Sequence, residues 1–426
     1  MLRYQAGRAL AASLLLFAAS RPLAQSAFPA IETLPSISHL PDPFLMKDGA
    51  RLGTKEQWRT QRAYLLDMVQ YYEYGRMPPP PGNVKGTVVS TTVSADKASL
   101  HRNVRITCGP RDSVAFTLSL DMPNKPGPFP AIITVGSASL DGVAKGYMMV
   151  SFDQLTLAGD NLDPRKELPA YPTADWGSLS VWAWGVHRIV DWLITLPEAD
   201  ASRIAVTGHS RNGKAALLAG ALDERISLVT PNHSGAGGAA SGKFGKGETV
   251  LAVATNFKHW FQWDGRYAQC GTAANLARMP FDSHFLKAAV APRELIVLEG
   301  NQDPHSDPWG SAQTTFAAKR VYDFLGAGGK INNHYCDCGH ISDWDGLFAY
   351  ADHVWSGKAL PADYYKLSAG FPEDAKLIPW SVPTTIKGPV SGRAYPGYGT
   401  EESSGFGIDG RWQGSGWNGF PGQSFR

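Results

Sequence analysis

Several features that mark common protein classes are scarce in this sequence of 426 residues. Lys and Arg number 40 against 38 Asp and Glu, so the net charge is +2, and charged residues make up 18%, below the roughly 25% of average soluble domains. Because the two signs of charge are nearly balanced, the composition does not indicate nucleic acid or an anionic membrane as the main partner. Four cysteines are too few for a disulfide framework. A hydrophobic core must therefore hold the fold.

Long apolar runs are also scarce, and the N-terminal one indicates export. Arg3 and Arg8 precede the apolar residues 9–19, and a small-residue site ends at Ala24. This run is about half the length that spans a bilayer. We therefore expect residues 1–24 to be a signal peptide and the protein to be secreted or periplasmic; a short buried or membrane helix is the alternative.

Export would place the cysteines in an oxidising compartment, where they pair. Cys336 and Cys338, or either of them with Cys270 or Cys108, are the candidate partners. The spacing alone does not choose among these pairs.

Hydrophobic periodicity divides the mature chain into an antiparallel start and a parallel remainder. A capping box at Thr54 and Gln57 opens an amphipathic helix that ends near Gly75. Residues 84–107 and 114–120 alternate like edge antiparallel strands. The strands predicted after these are residues 131–135, 148–152, 204–207, 226–230 and 295–298, and the main predicted helices are residues 178–195 and 213–221.

This alternation of strands and helices predicts a mostly parallel sheet with helices on both faces. No internal repeat or linker divides it, so we expect a single catalytic domain over residues 25–387. Residues 388–426 are rich in Gly, Ser and aromatics and form a C-terminal tail.

A strand, a tight turn and a helix surround Ser210. Residues 204–207 are a buried-strand run, the turn reads Gly-His-Ser-Arg-Asn-Gly from Gly208, and the residues after Gly213 are helical. This is the context of a nucleophile elbow, whose glycines avoid collisions in a strained turn. We predict that Ser210 is a nucleophile, although Asn212 replaces the usual last glycine; a plain turn is the alternative.

A serine nucleophile needs a base and an acid, and in α/β-hydrolase topology the acid precedes the histidine. His340 follows the predicted last strand, residues 330–335, and is the favoured base. Asp303 lies just beyond a predicted strand, at the carboxyl end where such sheets bind ligands. Asp307 and Glu299 compete with it, and a turn-opening role is the structural alternative for Asp303. The other downstream histidines are His284, His305, His334 and His353.

With GHSRNGK at residues 208–214, the sequence resembles the glucuronoyl esterases of carbohydrate esterase family 15, whose elbow reads Gly-Cys-Ser-Arg-x-Gly-Lys. The likeness covers most of the mature chain, through LPDPF and DG (residues 40–49), WAWGVHRIVDWL (182–193), SGAGG (234–238), MPFDSHFLKAAVAPR (279–293), DPWG (307–310) and GH (339–340). It implies an α/β-hydrolase fold, a three-layer sandwich with an open cleft. It also implies hydrolysis, without a cofactor, of esters that join (4-O-methyl)-glucuronic acid on xylan to lignin alcohols.

The resemblance also implies roles for single residues. Ser210 would be the nucleophile and His340 the base, Arg211 would stabilise the oxyanion, and Lys214 would bind sugar hydroxyls. Arg211 would be a fixed cation beside the attacking oxygen, and it would offset the negative charge that develops in the tetrahedral intermediate. An aromatic face suits a pyranose ring, and the candidates for this wall of the sugar site are Trp309 and, more weakly, Trp260 and Gln262.

Two positions depart from the family pattern. His233 stands where many members carry the acid as Glu, so the acid comes from elsewhere or is missing. Some bacterial members are similar in using an Asp after the later strand, which favours Asp303. His209 replaces the elbow Cys, so the disulfide that such members form there is excluded. The cluster of His209, His233 and His340 has donor groups suited to zinc, but the family gives no support for a metal, and we expect none.

Two rival functions remain open. One is an acetyl or feruloyl esterase on plant polysaccharide with the same fold, and the other is a weakly active, carbohydrate-binding relative. Lys214 and Trp309 favour a sugar on the acyl side of the bond, and the intact set of Ser210, Arg211 and His340 favours turnover. We expect a monomer whose partner is a glucuronate ester of plant carbohydrate, with no role for nucleic acid or membrane.

Overall fold

The computed structural model describes residues 28–384, apart from residues 162, 164, 165 and 167. The signal peptide and the C-terminal tail that the sequence predicts lie outside these residues. The strands are β1 (Lys85–Val93), β2 (Ser99–Cys108), β3 (Val114–Pro123), β4 (Phe129–Val135), β5 (Met148–Phe152), β6 (Ala199–His209), β7 (Leu228–Asn232), β8 (Glu294–Gly300) and β9 (Ile331–Cys336). The helices in the described part are α1 (Lys55–Val69), α2 (Asp141–Ala144), α3 (Ser178–Leu193), α4 (Arg211–Leu222), α5 (Val250–Asn256), α6 (Arg266–Cys270), α7 (His284–Val290), α8 (Pro308–Leu325) and α9 (Trp344–Ser356).

The nine strands of the described residues form one sheet, in the order β1-β2-β3-β5-β4-β6-β7-β8-β9. The first three strands and β5 pair antiparallel, whereas β5, β4, β6, β7, β8 and β9 pair in parallel. The division into an antiparallel edge and a parallel remainder is therefore confirmed. Parallel strands point their carboxyl ends to one edge, which gathers the loops after β4, β6, β7, β8 and β9.

Alternate residues of the central strands enter two separate cores. On β4 and β6, Ile133 and Val206 face a large core that also holds the buried residues of α1, α3, α4 and α7. Their neighbours Ile132 and Ala205 face a smaller core with Leu347 of α9. A sheet buried on both faces between helices is the three-layer sandwich that was predicted.

The first helix starts as the sequence indicates. The Thr54 hydroxyl accepts from the N–H of Gln57, whose side chain in turn accepts from the N–H of Thr54, so two unpaired donors of the helix end are satisfied. A π-helical turn over Gln70–Tyr74 continues α1 as far as Gly75, at φ 77°.

Two features of the fold differ from the sequence predictions. The stretch 84–107 is a hairpin of β1 and β2 and not one strand, because a turn at Ser94 is closed by the N–H of Lys97, at φ 60°. The helices α7, α8 and α9 had no counterpart in the prediction. The sequence analysis assigned no secondary structure to these segments, and α8 and α9 begin close to the candidate residues Trp309 and His340.

Two of the four cysteines form a disulfide bond, and the other two are buried as free thiols. Cys336, the last residue of β9, is bonded to Cys338 in the following loop, which selects one of the pairings left open by the sequence. Cys108 and Cys270 are free and buried. A search of the described helices finds none with the length and apolar character needed to cross a membrane.

Candidate active site

Ser210 occupies a strained turn between β6 and α4. Its backbone has φ 57° and ψ −126°, a region that residues with a side chain adopt only when their surroundings hold them there. Its N–H donates to the carbonyl of Asn232 on β7, at 2.9 Å. A side chain on Gly208 would collide with the carbonyl oxygen of Asn212, and one on Gly213 would meet that of Gly208 at 2.8 Å. The two glycines therefore allow the elbow to close, and they raise the Ser210 side chain at the edge of the sheet.

His340 and Asp303 come together although 37 residues separate them in the sequence. Asp303 follows β8 and His340 follows β9, and these strands are neighbours, so their loops meet. Nδ1 of His340 lies 2.6 Å from Oδ2 of Asp303. Because a carboxylate only accepts, this bond assigns the proton to Nδ1 and leaves Nε2 as the basic nitrogen.

The Asp303 carboxylate is stabilised as an anion. Burial alone would raise its pKa, but hydrogen bonds from Ser306, His233 and His340 outweigh burial and hold the pKa of Asp303 well below its usual range. The Ser306 hydroxyl and its backbone N–H approach the two carboxylate oxygens at 2.6 and 3.2 Å. The charge that would steady a protonated His340 is thus fixed in place.

The two rival acids have other partners. Asp307 caps α8 and accepts from the N–H groups of Gly310 and Lys246 at 2.9 and 2.8 Å. Burial raises the pKa of Glu299, which favours its neutral form. Of these three carboxyl groups, Asp303 is the one that contacts His340.

Two further imidazoles, those of His233 and His209, lie near Asp303 and His340. Nδ1 of His233, a fully buried side chain, lies 2.9 Å from the same Oδ2 of Asp303. The ring of His209 lies 4.5 Å from that of His340, between centroids. Burial, reinforced by the neighbouring histidines, lowers the pKa of His209 to about 4, and burial also lowers the pKa of His233. Both rings are therefore neutral at pH 7.

Arg211, the candidate for oxyanion stabilisation, is held by an acid that the sequence analysis missed. Its Nε lies 3.1 Å from Oδ2 of Asp160, while Oδ1 of Asp160 accepts from the indole N–H of Trp260. Arg211 keeps 42% of its side-chain exposure and is accessible from the cleft. Asp160 lies in the irregular segment between β5 and α3, where no pattern distinguishes it.

Lys214 lies deeper than its expected role suggests. Its side chain is 2% exposed, and its ammonium donates to the carbonyls of Ser234 and Ala236, each at 2.6 Å, and to Oε2 of Glu248 at 2.8 Å. All three N–H groups therefore have acceptors, and a bond to a sugar hydroxyl would require one of them to be exchanged. The expectation that Lys214 binds sugar directly does not agree with this geometry.

Glu248 is the acidic residue that reaches from Lys214 toward the cleft. Its second oxygen lies 3.1 Å from Nε2 of His305, an exposed imidazole whose ring is 6.2 Å from that of His340. The N–H of Glu248 also donates to the carbonyl of His305 at 3.0 Å. Glu248 therefore lies beside the loops that carry Asp303 and His340, and no local sequence pattern marks it.

The three candidates for the sugar wall have different environments. Trp260 is 5% exposed and stacks on Phe257 with 4.0 Å between centroids, so it is largely a core residue. Gln262 is buried, and its side-chain NH₂ has no partner among the described residues. Trp309, in the first turn of α8, is partly exposed, and the ammonium of Lys246 lies 3.6 Å from its ring centroid. Trp309 is the better placed of the two aromatic rings to meet a ligand.

A cavity of about 300 Å³ is lined by Ser210 and Arg211. Ser342, in the loop after His340, and Trp344, the first residue of α9, also line it. Three of its lining residues have a buried polar atom that lacks a hydrogen-bond partner within the described part of the chain: Oγ1 of Thr134, Nε2 of His209 and Oδ1 of Asn232. A polar, open cavity of this size accommodates water or the small end of an ester beside Ser210.

Comparison with known proteins places this site in a family. A family model described as glucuronyl esterase of fungi matches residues 104–326, just over half of the chain. A 4-O-methyl-glucuronoyl methylesterase from Schizophyllum commune is 31% identical over 380 residues, which cover 82% of this chain and 92% of that protein. The chain belongs to the glucuronoyl esterase family. It is accordingly a carboxylic ester hydrolase, as predicted.

Solved structures of esterases agree with this assignment. A glucuronoyl esterase of carbohydrate esterase family 15 from Caldicellulosiruptor kristjansonii superposes with a TM-score of 0.70 at 28% identity, over 82% of this chain and 99% of that one. A serine-to-alanine mutant of the Sporotrichum thermophile esterase, solved with methyl 4-O-methyl-β-D-glucopyranuronate, gives a TM-score of 0.63 at 27% identity, over 81% and 98%. The α/β-hydrolase fold and the family predicted from the sequence are confirmed.

Proposed function

We propose that this esterase hydrolyses esters of (4-O-methyl)-glucuronic acid through an acyl-enzyme on Ser210. The observation that carries the proposal is the 2.6 Å hydrogen bond from His340 to Asp303, with the His340 ring 4.5 Å from that of His209, the residue before Ser210 on the strained elbow. Such a base and acid activate a hydroxyl that is a weak nucleophile alone. Family membership and the sugar ester bound by the Sporotrichum thermophile relative support the uronoyl substrate.

The reaction proceeds in two steps. Nε2 of His340 takes the Ser210 proton as the hydroxyl oxygen attacks the uronoyl carbonyl, and Arg211 with the backbone N–H groups at the start of α4 holds the oxyanion. His340 then protonates the departing alcohol. Water, deprotonated by His340, attacks the acyl-enzyme, and His340 returns this proton to the Ser210 oxygen as glucuronate is released. Asp303 stays ionised throughout and stabilises the imidazolium.

The uronoyl ring would lie on the side of Glu248 and Trp309, and the alcohol on the side of Ser342 and Trp344. On the first side a carboxylate held by Lys214 can accept from sugar hydroxyls, and an aromatic ring lies close by. In this scheme Lys214 positions Glu248 and does not itself contact the sugar, while Gln262 supplies an unpaired amide donor.

The physiological setting is also part of the proposal. We infer that residues 1–24 direct export, that the mature chain acts as a monomer, and that its substrates are xylan esters of lignin alcohols. The bond between Cys336 and Cys338 supports an oxidising compartment. N-terminal sequencing of the secreted protein and its elution volume in size-exclusion chromatography test the first two points.

The substrate class is tested by comparing the hydrolysis of three esters. Benzyl glucuronate, acetylated xylan and methyl ferulate are each incubated with the mature protein and with Ser210→Ala. We expect the glucuronate ester to be cleaved with a kcat/KM at least about a hundredfold above the other two, since only its acyl side fills the proposed sugar site. Comparable or higher turnover of acetylated xylan or ferulate, abolished by Ser210→Ala, would assign a different esterase activity.

A further inference from the structure

A second cavity, of about 510 Å³, adjoins the one that Ser210 lines. Ser137 and Asn212 line both cavities, so the two are parts of one groove. The second cavity lies over β5 and β3, on the far side of the elbow from β8 and β9. The esterase mechanism involves the first cavity only.

Hydroxyl side chains form a row along this groove. The strands are in register such that Ser119 of β3 pairs with Ser151 of β5, Ser151 with Thr134 of β4, and Thr134 with Thr207 of β6. The residues that precede them on these strands face the large core: Leu118, Val150, Ile133 and Val206. Because side chains alternate between the two faces of a sheet, the four hydroxyls share the opposite face. Ser119 and Ser151 line the second cavity, and Thr134 and Thr207 line the first.

Two buried polar atoms in the groove have no hydrogen-bond partner within the described part of the chain. They are Oγ1 of Thr134 and Oδ1 of Asn232, from residues that are 2% and 3% exposed and that both line the first cavity. A buried polar group without a partner lowers stability, so such groups normally find one in the protein, in water or in a ligand. A ligand hydroxyl both donates and accepts, and it can satisfy either atom.

The lining of the second cavity favours hydroxyl groups over charged or aromatic ones. Among the described residues that line it, Asp153 is the charged one and Phe152 the aromatic one. Phe152 packs in the large core, so its ring face is not offered to a ligand. Hydroxyl and amide side chains make up most of the remaining lining. Such a surface suits a neutral polyol.

Asn212 lies where the two cavities meet. Its Oδ1 accepts from the side-chain NH₂ of Gln154 at 3.0 Å, and a side chain on Gly136 would lie 2.7 Å from its Nδ2. Gly136, at φ 90°, therefore leaves room for the amide. The residue that replaces the usual last glycine of the elbow thus supplies a polar wall along the groove.

We propose that this groove binds the alcohol side of the ester and selects alcohols that carry further hydroxyl groups. The inference rests on the proposed esterase function, in which the alcohol leaves on the side of Ser342 and Trp344. A hydroxyl close to the ester oxygen bonds with Thr134, and a longer polyol continues along the row to Ser151 and Ser119. The glycerol side chain of a lignin unit and a sugar residue share this chemistry.

The test compares the glucuronate esters of glycerol and of propanol, which share a carbon chain and differ in their hydroxyl groups. The ratio of the two kcat/KM values is divided by the ratio of the rates at which hydroxide cleaves the same esters. This division removes the intrinsic difference between the two leaving groups. We expect the unmodified protein to prefer the glyceryl ester by at least about fivefold, the effect of one or two hydrogen bonds.

The variants are Thr134→Val combined with Ser151→Ala, and Thr230→Val as the matched control. Thr230 continues the same row on β7, paired with Thr207, but its hydroxyl donates to the carbonyl of Val206 at 3.1 Å and it lines neither cavity. We expect the double variant to lower the preference below about twofold and Thr230→Val to keep it. Circular dichroism verifies that both variants are folded.

Two further esters distinguish the sources of the polyol. One has an arylglycerol as its alcohol and the other the primary hydroxyl of methyl glucoside; the higher kcat/KM identifies the source, and either one supports the groove. Equal cleavage of the glyceryl and propyl esters, or a preference that the double variant keeps, would overturn the inference and leave the proposed function standing. If the protein cleaves no glucuronate ester, the proposed function is refuted and this inference with it.

Discussion

His233 places its Nδ1 2.9 Å from Oδ2 of Asp303, so a histidine supports the proposed triad acid from the position at which the sequence resemblance implies an acid. The bond is buried, and its donor is neutral because the pKa of His233 is lowered by burial. His233 thus supplies a hydrogen bond without a second charge. The negative charge of the triad stays on Asp303.

This bond predicts that His233→Asn and His233→Ala behave differently. The side-chain NH₂ of Asn occupies nearly the position of Nδ1 and can still donate to Asp303, whereas Ala removes the donor and leaves a cavity. We expect kcat to fall less than threefold in His233→Asn and about tenfold or more in His233→Ala, roughly the effect of one hydrogen bond to a charged group. Steady-state kinetics on benzyl glucuronate measure this, and equal losses in both variants would contradict a donor role.

The contact between Arg211 and Asp160 predicts a graded effect on the oxyanion. Arg211→Met removes the cation and should lower kcat about a hundredfold with little change in KM. Asp160→Asn releases the guanidinium without removing it, so a smaller loss is expected. Asp264→Asn is the control, because Asp264 pairs with Arg266 at 2.7 Å on an exposed edge. A full hundredfold loss in Asp160→Asn, or none in Arg211→Met, would be inconsistent with these roles.

The buried pair of Lys214 and Glu248 predicts a large effect on stability. Lys214→Met leaves the Glu248 carboxylate and two carbonyls without their donor, which we expect to cost about 3–5 kcal/mol of unfolding free energy. Adding Glu248→Gln should restore part of the loss, since it removes the unpaired charge. The surface pair of Lys319 and Asp323, 2.7 Å apart, provides the control, and Lys319→Met should cost less than about 1 kcal/mol. Denaturant unfolding compares the variants; similar losses for both lysines would disprove the structural role of Lys214.

Buried histidines predict that acid weakens the fold. The His187 imidazole is fully buried and in contact with the carbonyl of Ala219 at 2.9 Å, and burial lowers its pKa to about 4. In the unfolded chain its pKa is about 6.5, so between these values only the unfolded state binds the proton. The stability that comes from keeping His187 neutral is therefore fully present above about pH 6.5, and it is lost as the pH falls toward 4.

His187→Gln keeps a hydrogen-bond donor for the carbonyl of Ala219 and removes the imidazole that takes up the proton. Between pH 7 and pH 5 we expect the unmodified protein to lose about 2 kcal/mol more unfolding free energy than His187→Gln. His353→Gln, a change at an exposed histidine of α9, should follow the unmodified protein. Parallel pH curves for the unmodified protein and His187→Gln would show that His187 is not neutral in the fold.

The sequence predicted those features that local patterns determine. Ser210 was recognisable because strand, glycines and helix adjoin it, and Asp303 and His340 because each follows a strand of the same parallel sheet. Glu248 and Asp160 were missed, since both lie on irregular segments whose approach to the site depends on tertiary contacts. The burial of Lys214 was equally hidden, because one turn of helix separates it from the exposed Arg211 and no periodic signal marks the change.

The assignment of Asp303 as the triad acid is tested most directly by hydrolysis of benzyl glucuronate with four variants side by side. We expect Ser210→Ala to be inactive and Asp303→Ala to lose about three to four orders of magnitude in kcat. Glu299→Gln and Asp307→Asn, if folded, should keep most of their kcat, since neither carboxyl group contacts His340. Full activity in Asp303→Ala, with activity lost in Glu299→Gln or Asp307→Asn, would contradict the triad of Ser210, His340 and Asp303.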